Sequence, residues 1–413
     1  MHASLAALLA LALVVPAAAQ IDGPLQQDAR PLVPSVAVLG MGGIAAAVPV
    51  EGSAFFYNPA HLARLDLGRV RVGIAGTQGA VSSDVAEKIA FFRDELQPAI
   101  EEGLEEMNRT DPDRLVELYE RAFEVGRRQS MAEAAALGPS VQVGVGRGGV
   151  GAGLFVDGRS RLQYADAGIG VPRLDFFSQL DVVVPVAAAI RIPTTPLAVG
   201  ATATWTHRRV AAKSGLVEEL DPETENLYVL SATGVAVDVG LHARDAAVPG
   251  LDLGLTVHHL LSSPMDYRQT GRFEVLGGDD NPDDEAEIAE LEARFNSRAV
   301  PRTVRVGAAY RVPLPPGAGR LLRDVALAAD YEGGSTSDFE QPFLAHLRFG
   351  AQAKVGPVFA VRAGLAQGYP SLGAGLALPG VRLDYAWFGV EDGCTAGQLG
   401  RRNHVLRLQF GLF

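Results

Sequence analysis

Four stretches of this 413-residue chain hold residue types that could do chemistry. In "VAVLGMGGIAAAV", residues 36–48, an apolar run meets Gly40-x-Gly42 and then alanines. That order would bring a backbone close to the pyrophosphate of a dinucleotide. Pro49 stops any helix within a turn or two, and no parallel strand-helix alternation follows, so the glycines need another explanation. Gly144-x-Gly146-x-x-Gly149 repeats the spacing with no helix behind it and reads as a hairpin turn. Asp279, Asn281, Asp283 and Glu290 stand at the first, third, fifth and twelfth positions of a calcium loop. Asp284 replaces the glycine that loop needs, and Pro282 intrudes, so the run reads as a solvated acidic loop leading into a helix. His258 and His259 are neighbours on a strand-like run and face opposite sides, and no Gly-x-Ser-x-Gly or His-Glu-x-x-His spacing occurs. The residues therefore point to no enzyme, no metal and no cofactor.

The elements that carry these residues are mostly strands. From Val141 onward, apolar and small or polar residues alternate with period two between Gly, Pro and Asp turns. In "TVRVGAAYRV", Val304, Val306, Ala308, Tyr310 and Val312 share one face and Arg305, Gly307, Ala309 and Arg311 the other. "HLRFGAQAK" and "VRLDYAWFGV" repeat the pattern. Strands are expected to begin near residues 69, 139, 149, 175, 196, 228, 250, 267, 300, 324, 343, 357, 371, 380 and 402. That is one more than an even-numbered ring allows, so the expectation is an all-β, single antiparallel outer-membrane barrel of about 14 strands.

Composition and aromatic placement support a barrel in a membrane. The formal net charge of -12, with lysine only at Lys88, Lys213 and Lys354, argues against nucleic acid as a partner. Cys394 is a single cysteine and has no partner for an internal disulfide. The apolar-face positions are rich in Ala and Val, and Trp205, Tyr310, Tyr331, Tyr385 and Trp387 lie where a membrane barrel places its aromatic girdle. Residues 1–19 read as an export signal with Ala17-Ala18-Ala19 before the cleavage point. The polar faces put Asp238, Asp252, Arg305, Arg311, Asp330, Arg348, Arg382 and Asp384 toward a lumen.

Two segments break the strand pattern. Residues 84–136 place Val85, Ile89, Phe92, Leu96, Ile100, Leu104 and Met107 at helical steps, then restart at "TDPDRLVELY". There Thr110 or Asp111 can cap and Pro112 opens the turn, which predicts a helical hairpin between the first two strands. If the first strand starts from the periplasm, this insert is extracellular. Residues 279–295 form the acidic loop and a second short helix.

A fifth stretch, "GSAFFYNPAHLARL", makes Asn58 a helix N-cap and Pro59 its first turn, followed by Ala60 and Leu62. Phe55, Phe56 and Tyr57 just before it must be buried somewhere, and a barrel lumen offers that place.

"GMGGIAAAVPVEGSAFFYNPAHLARL", residues 40–65, resembles the N-terminal motif of the FadL/PorV-like outer-membrane barrel superfamily, through Ser53, Ala54, Tyr57, Asn58, Pro59, Ala60, Leu62 and Ala63. "RAGLAQGYPSLGAGLALPGVRLDYAWFG", residues 362–389, resembles the closing strands of its PorV-like and TraF-type branches. His61 stands where the family usually has Gly, and Leu406, Leu408, Phe410 and Leu412 share a face, so Phe413 falls out of register with the usual terminal signal to the barrel assembly machinery. The resemblance implies a 14-stranded barrel whose residues 20–67 form a hatch inside residues 68–413, in the outer membrane of a Gram-negative-type bacterium. It also implies a hydrophobic small molecule as ligand, bound or passively transported beside Phe55, Phe56, Tyr57, Asn58, Pro59, Ala60 and Leu62. The alternative is a non-transporting component, a PorV-like secretion shuttle or a TraF-like conjugal-transfer accessory, docking a protein through 84–136.

Overall fold

A computed structural model describes residues 34–49, 54–126, 130–166, 172–216, 226–274, 285–297, 302–315, 322–334, 343–391 and 400–413. The strands, in chain order, are β1 (Val70–Ser82), β2 (Ser130–Val145), β3 (Gly148–Asp166), β4 (Pro172–Arg191), β5 (Leu197–Leu216), β6 (Asn226–Ala243), β7 (Leu251–Ser262) and β8 (Arg268–Glu274). They continue with β9 (Thr303–Arg311), β10 (Leu322–Gly334), β11 (Leu347–Val355), β12 (Phe359–Ala366), β13 (Tyr369–Leu378), β14 (Val381–Glu391) and β15 (Gly400–Leu412). Each pairs antiparallel with its neighbours, and β1 meets β15 to close the ring.

The fifteenth strand has a simple origin. β6 pairs with β7 along Ala236–Ala243 and with β8 along Asn226–Ser231, on the same edge. β7 and β8 are thus two halves of one wall strand, separated at residues 263–267. Fifteen segments and a fourteen-stranded ring are both present. Just before the break, His258 and His259 both engage Asp238, through the His258 ring at 3.1 Å and the His259 amide at 2.8 Å. His259 has φ 53°, so the local strand geometry that would send the two side chains to opposite faces is interrupted by a bulge.

The two ends of the ring differ. Turns at residues 146–147, 356–358 and 379–380 are tight, whereas the opposite end bears the segment between β1 and β2 and the helix Glu285–Asn296. Short turns face the periplasm in such barrels, which puts the long connections outside. β4 and β5 are 20 residues long, about twice the 9–11 that cross a bilayer, so this part of the wall rises above the membrane.

The faces are inverted relative to a soluble protein. Val150, Leu154, Val186, Leu327, Phe349, Leu372 and Leu406 are exposed, while Asp157, Arg159, Asp181, Arg208, Asp330, Arg362 and Asp384 are buried. Apolar side chains outward and charges inward suit lipid outside and a polar interior within. Trp205, Tyr310 and Tyr385 are exposed on the outer face, and the Arg402 guanidinium lies 5.0 Å over the Trp387 ring. Among the described residues no helix is long and apolar enough to cross a membrane.

The insert departs from the sequence reading in two ways. Its helices run over Val85–Phe91, Gln97–Glu102, Leu104–Thr110 and Pro112–Gly126, and β2 begins at Ser130, so residues 130–136 are strand. A π-helical turn at Phe92–Leu96 adds a residue to the period, which rotates the first helix. Phe91 is therefore buried where Ile89 and Phe92 were expected. Asp111 caps the last helix, its Oδ1 accepting the Arg114 amide at 3.2 Å. The apolar stripe closes on itself: Phe91, Leu96, Ala99, Met107, Leu115, Leu118 and Ala122 form one core, with Leu174 of β4 packed against it.

Candidate functional site: the occupied lumen

The N-terminal segment lies inside the ring. Val36–Gly40 forms a short helix, Gly42 and Gly43 turn the chain with φ 71° and 84°, and residues 59–64 wind as a 3-10 helix. Asn58 organises the crossing between its two halves. Its Oδ1 accepts the Ala60 amide at 3.0 Å, and its Nδ2 donates to the Ala46 carbonyl at 2.7 Å and the Leu241 carbonyl of β6 at 3.1 Å. One buried amide thus caps the helix, ties the segment to itself and pins it to the wall.

The wall is cut back to glycine where the segment lies against it. A Cβ on Gly373 of β13 would sit 3.0 Å from the Gly40 Cα, and one on Gly200 of β5 would sit 2.6 Å from the Ala60 nitrogen. Gly364 of β12 meets the backbone of Met41 and Gly42, and Gly240 of β6 meets Asn58. The glycines of 40–43 and those of the strands therefore serve one purpose, backbone against backbone. This is what imitates the dinucleotide motif.

Polar side chains of the wall clasp the segment's backbone. Asp330 Oδ2 accepts the Ala45 and Ala46 amides at 2.8 and 2.9 Å. Arg305 donates to the Gly43 carbonyl at 3.0 Å, and Arg407 to the Pro34 carbonyl at 2.7 Å. Arg305 and Arg348 share Glu332, at 2.6 and 2.7 Å. Arg382 and Arg362 hold Asp384 at 2.6 and 3.0 Å beside the helix Val36–Gly40. Arg311, expected in the lumen, ends β9 at the periplasmic rim, where it pairs with Asp245 and Asp252.

Phe55, Phe56 and Tyr57 are buried at mid-barrel. Phe56 stands edge-on to Phe155 of β3 with centroids 5.1 Å apart, and Phe55 lies 6.2 Å from the same ring. Leu137, Val183, Ala135 and Ala187 complete an apolar cluster within an otherwise polar wall. The Tyr57 hydroxyl accepts the Ser35 amide at 2.9 Å, and burial holds its pKa above the ordinary value, so it stays neutral. Ala60 and Leu62 are buried in turn, Leu62 against Gly149. On the luminal side of the extracellular wall, Phe295 of the helix Glu285–Asn296 stacks on Phe177 and meets Tyr267 at a tilt.

Sequence reasoning missed Glu332, Arg362, Arg407 and Phe155. The period-two pattern could have found Glu332, which shares a face with Asp330. Phe155 looked like any apolar strand residue, since nothing local marks which face meets the segment. The calcium-loop positions 279–284, Ser53, Cys394 and the export signal lie outside the described residues. Among the described residues no three His, Cys, Asp or Glu side chains are placed to hold a metal ion.

No protein-family model matches the chain, and no curated protein matches it. Solved structures do. The deltaS2 mutant of the monoaromatic hydrocarbon channel TodX matches with a TM-score of 0.50 at 13% identity, over 92% of this chain and 98% of that one. Its deltaS2S3 mutant matches with 0.50 at 11% identity, over 91% and 97%. The toluene transporter TbuX of Ralstonia pickettii gives 0.46 at 15% identity, over 91% and 98%. Identity this low speaks for the fold alone, and the chain shares that fold: a closed antiparallel barrel of fourteen wall strands.

Proposed function

We propose that this barrel binds a hydrophobic small molecule in its lumen and lets it pass the outer membrane, residues 34–65 acting as the hatch that yields. The observation that carries the reading is the aromatic cluster of Phe55, Phe56 and Phe155, which is apolar inside a charged wall and half built from the segment itself. A molecule that replaces Phe56 against Phe155 gains an apolar, aromatic surface. The hatch is held by hydrogen bonds and ion pairs, with no covalent tie to the wall among the contacts above. TodX, the barrel of the same fold, is a monoaromatic hydrocarbon channel, which fits this reading. Docking of a partner protein through the insert is less well supported, because its apolar stripe is spent on its own core and leaves Ile89, Phe92 and Val116 as its exposed large apolar residues.

The test is binding of the apolar dye 1-N-phenylnaphthylamine to the purified barrel, followed by its fluorescence, with alkylbenzenes as competitors. Phe56→Asp is expected to weaken binding by about tenfold or more, since a carboxylate must then be desolvated beside the ligand. Equal binding by the variant would remove the aromatic cluster from the account.

A further inference from the structure

Two imidazoles near the periplasmic end of the lumen have no part in the binding site. His61, in the 3-10 turn, and His242 of β6 meet edge to face with centroids 4.9 Å apart, and both are buried. The other half of the hatch lies beside both rings, with the Ala46 backbone next to His61 and the Ala47 backbone next to His242, and Asp252 Oδ2 is 3.8 Å from His242 Nε2. A buried imidazole pair thus spans the seam between hatch and wall, and imidazole is the side chain whose charge changes near neutral pH.

The surrounding charges favour the neutral form. Arg64 in the same turn pairs with Asp252 of β7 at 3.0 Å. Arg311, at the end of β9, reaches both Asp252 and Asp245, and Arg244 approaches Asp245 at 3.5 Å. Three arginines thus share two carboxylates. β3, β4 and β5 meet the turn with Gly149, Ala189, Ala198 and Gly200, which carry no charge. Neutral rings fit this place, and a further proton does not.

We propose that His61 and His242 form a pH-sensitive latch, seating the hatch on β6 while both rings are neutral and releasing it when a proton is taken up. Burial pushes the His61 imidazole well below its ordinary pKa, and His242 and Arg64 push the same way. Once the turn leaves its seat, His61 meets water and returns toward the ordinary value of about 6.5. A group neutral when docked and basic when free binds protons on release. Seating is therefore fully present above that value and weakens as pH falls below it.

Hydrogen exchange of peptides spanning residues 54–66, in the whole barrel held in nanodiscs, tests the latch from about pH 8 to about pH 5, corrected for intrinsic exchange. Protection should fall about tenfold for each pH unit below about 6, the slope for one proton taken up on release, while β3 and β4 peptides stay protected. His61→Gln, which leaves the wall intact, should abolish that slope, and His61→Gln with His242→Gln should be as flat. Asn58→Ala should lower protection equally at every pH, separating a loosened seat from a titrating one. A flat profile in the native chain, or an unchanged slope in the histidine variants, overturns the latch.

Discussion

Valine at position 364 is expected to unseat the luminal segment of residues 34–49 and leave the wall standing. Gly364 pairs with Gly350 of β11 and Ser371 of β13, and its missing side chain is filled by the backbone of Met41 and Gly42. Backbone cannot rotate aside as a flexible side chain can. The opposing Gly350 meets the Met41 carbonyl, so the segment has no slack on that flank either. Valine suits a strand, and the ladder on both sides of β12 uses main-chain groups that the substitution does not touch. Overpacking of this kind costs about 1–3 kcal/mol where side chains can adjust, and more is expected against a fixed backbone. In planar bilayers Gly364→Val should show steady conductance where the native chain is nearly silent. Its residues 34–49 should become open to protease. Gly79→Ala is the control, because a Cβ there meets no atom within 4 Å. A Gly364→Val barrel as silent as the native one would mean that the segment does not depend on the glycine seats.

The second large effect is expected at Asp384. Its two oxygens hold Arg362 and Arg382, and the carboxylate and Arg362 are 4% exposed in their side chains. Asp384→Ala removes the carboxylate that both guanidiniums share beside the helix Val36–Gly40. Breaking a buried pair by removing one partner costs about 3–5 kcal/mol, most of it the desolvation of the charge left behind. The temperature at which the folded barrel is lost, read from its shifted migration in detergent gels, should drop clearly. Asp324→Ala, which breaks the exposed pair with Lys354, should move it little, because such pairs contribute about 0–1 kcal/mol. Equal shifts in the two variants would show that the luminal ion pairs carry no more than surface ones.

The wall was legible in the sequence because one face is lipid and the other polar, and period-two alternation reports that directly. Phe349, Phe410 and Leu412 outward and Arg348 and Asp384 inward follow from it. The same pattern set the strand starts close to those observed, apart from β2. That strand begins earlier because "SMAEAAAL" is alanine-rich and polar enough to pass for helix, while its partners in β1 and β3 hold it extended. The break between β7 and β8 was counted as a surplus strand, since pairing of both halves to β6 is a tertiary fact.

The site was legible only on its own side. Asn58-Pro59 and the aromatics before it announced a capped turn needing burial, and the family resemblance suggested where. Which wall residues receive it could not be read, because the contacts are between distant parts of the chain: the Ser371 hydroxyl reaches the Gly40 carbonyl at 3.4 Å across 331 residues. Gly200, Gly364 and Gly373 are unremarkable glycines in strands until the segment is laid on them. The partner of His61 is likewise a tertiary fact, since His242 lies 181 residues further along the chain.

Native mass spectrometry of the barrel, extracted gently from its own outer membrane, tests the central claim most directly. The spectrum should contain one small apolar molecule per chain, and that molecule should be absent from Phe56→Asp barrels extracted in the same way. A barrel that carries no such molecule but retains another protein, released when residues 84–126 are deleted, would contradict the account and make this chain a docking component.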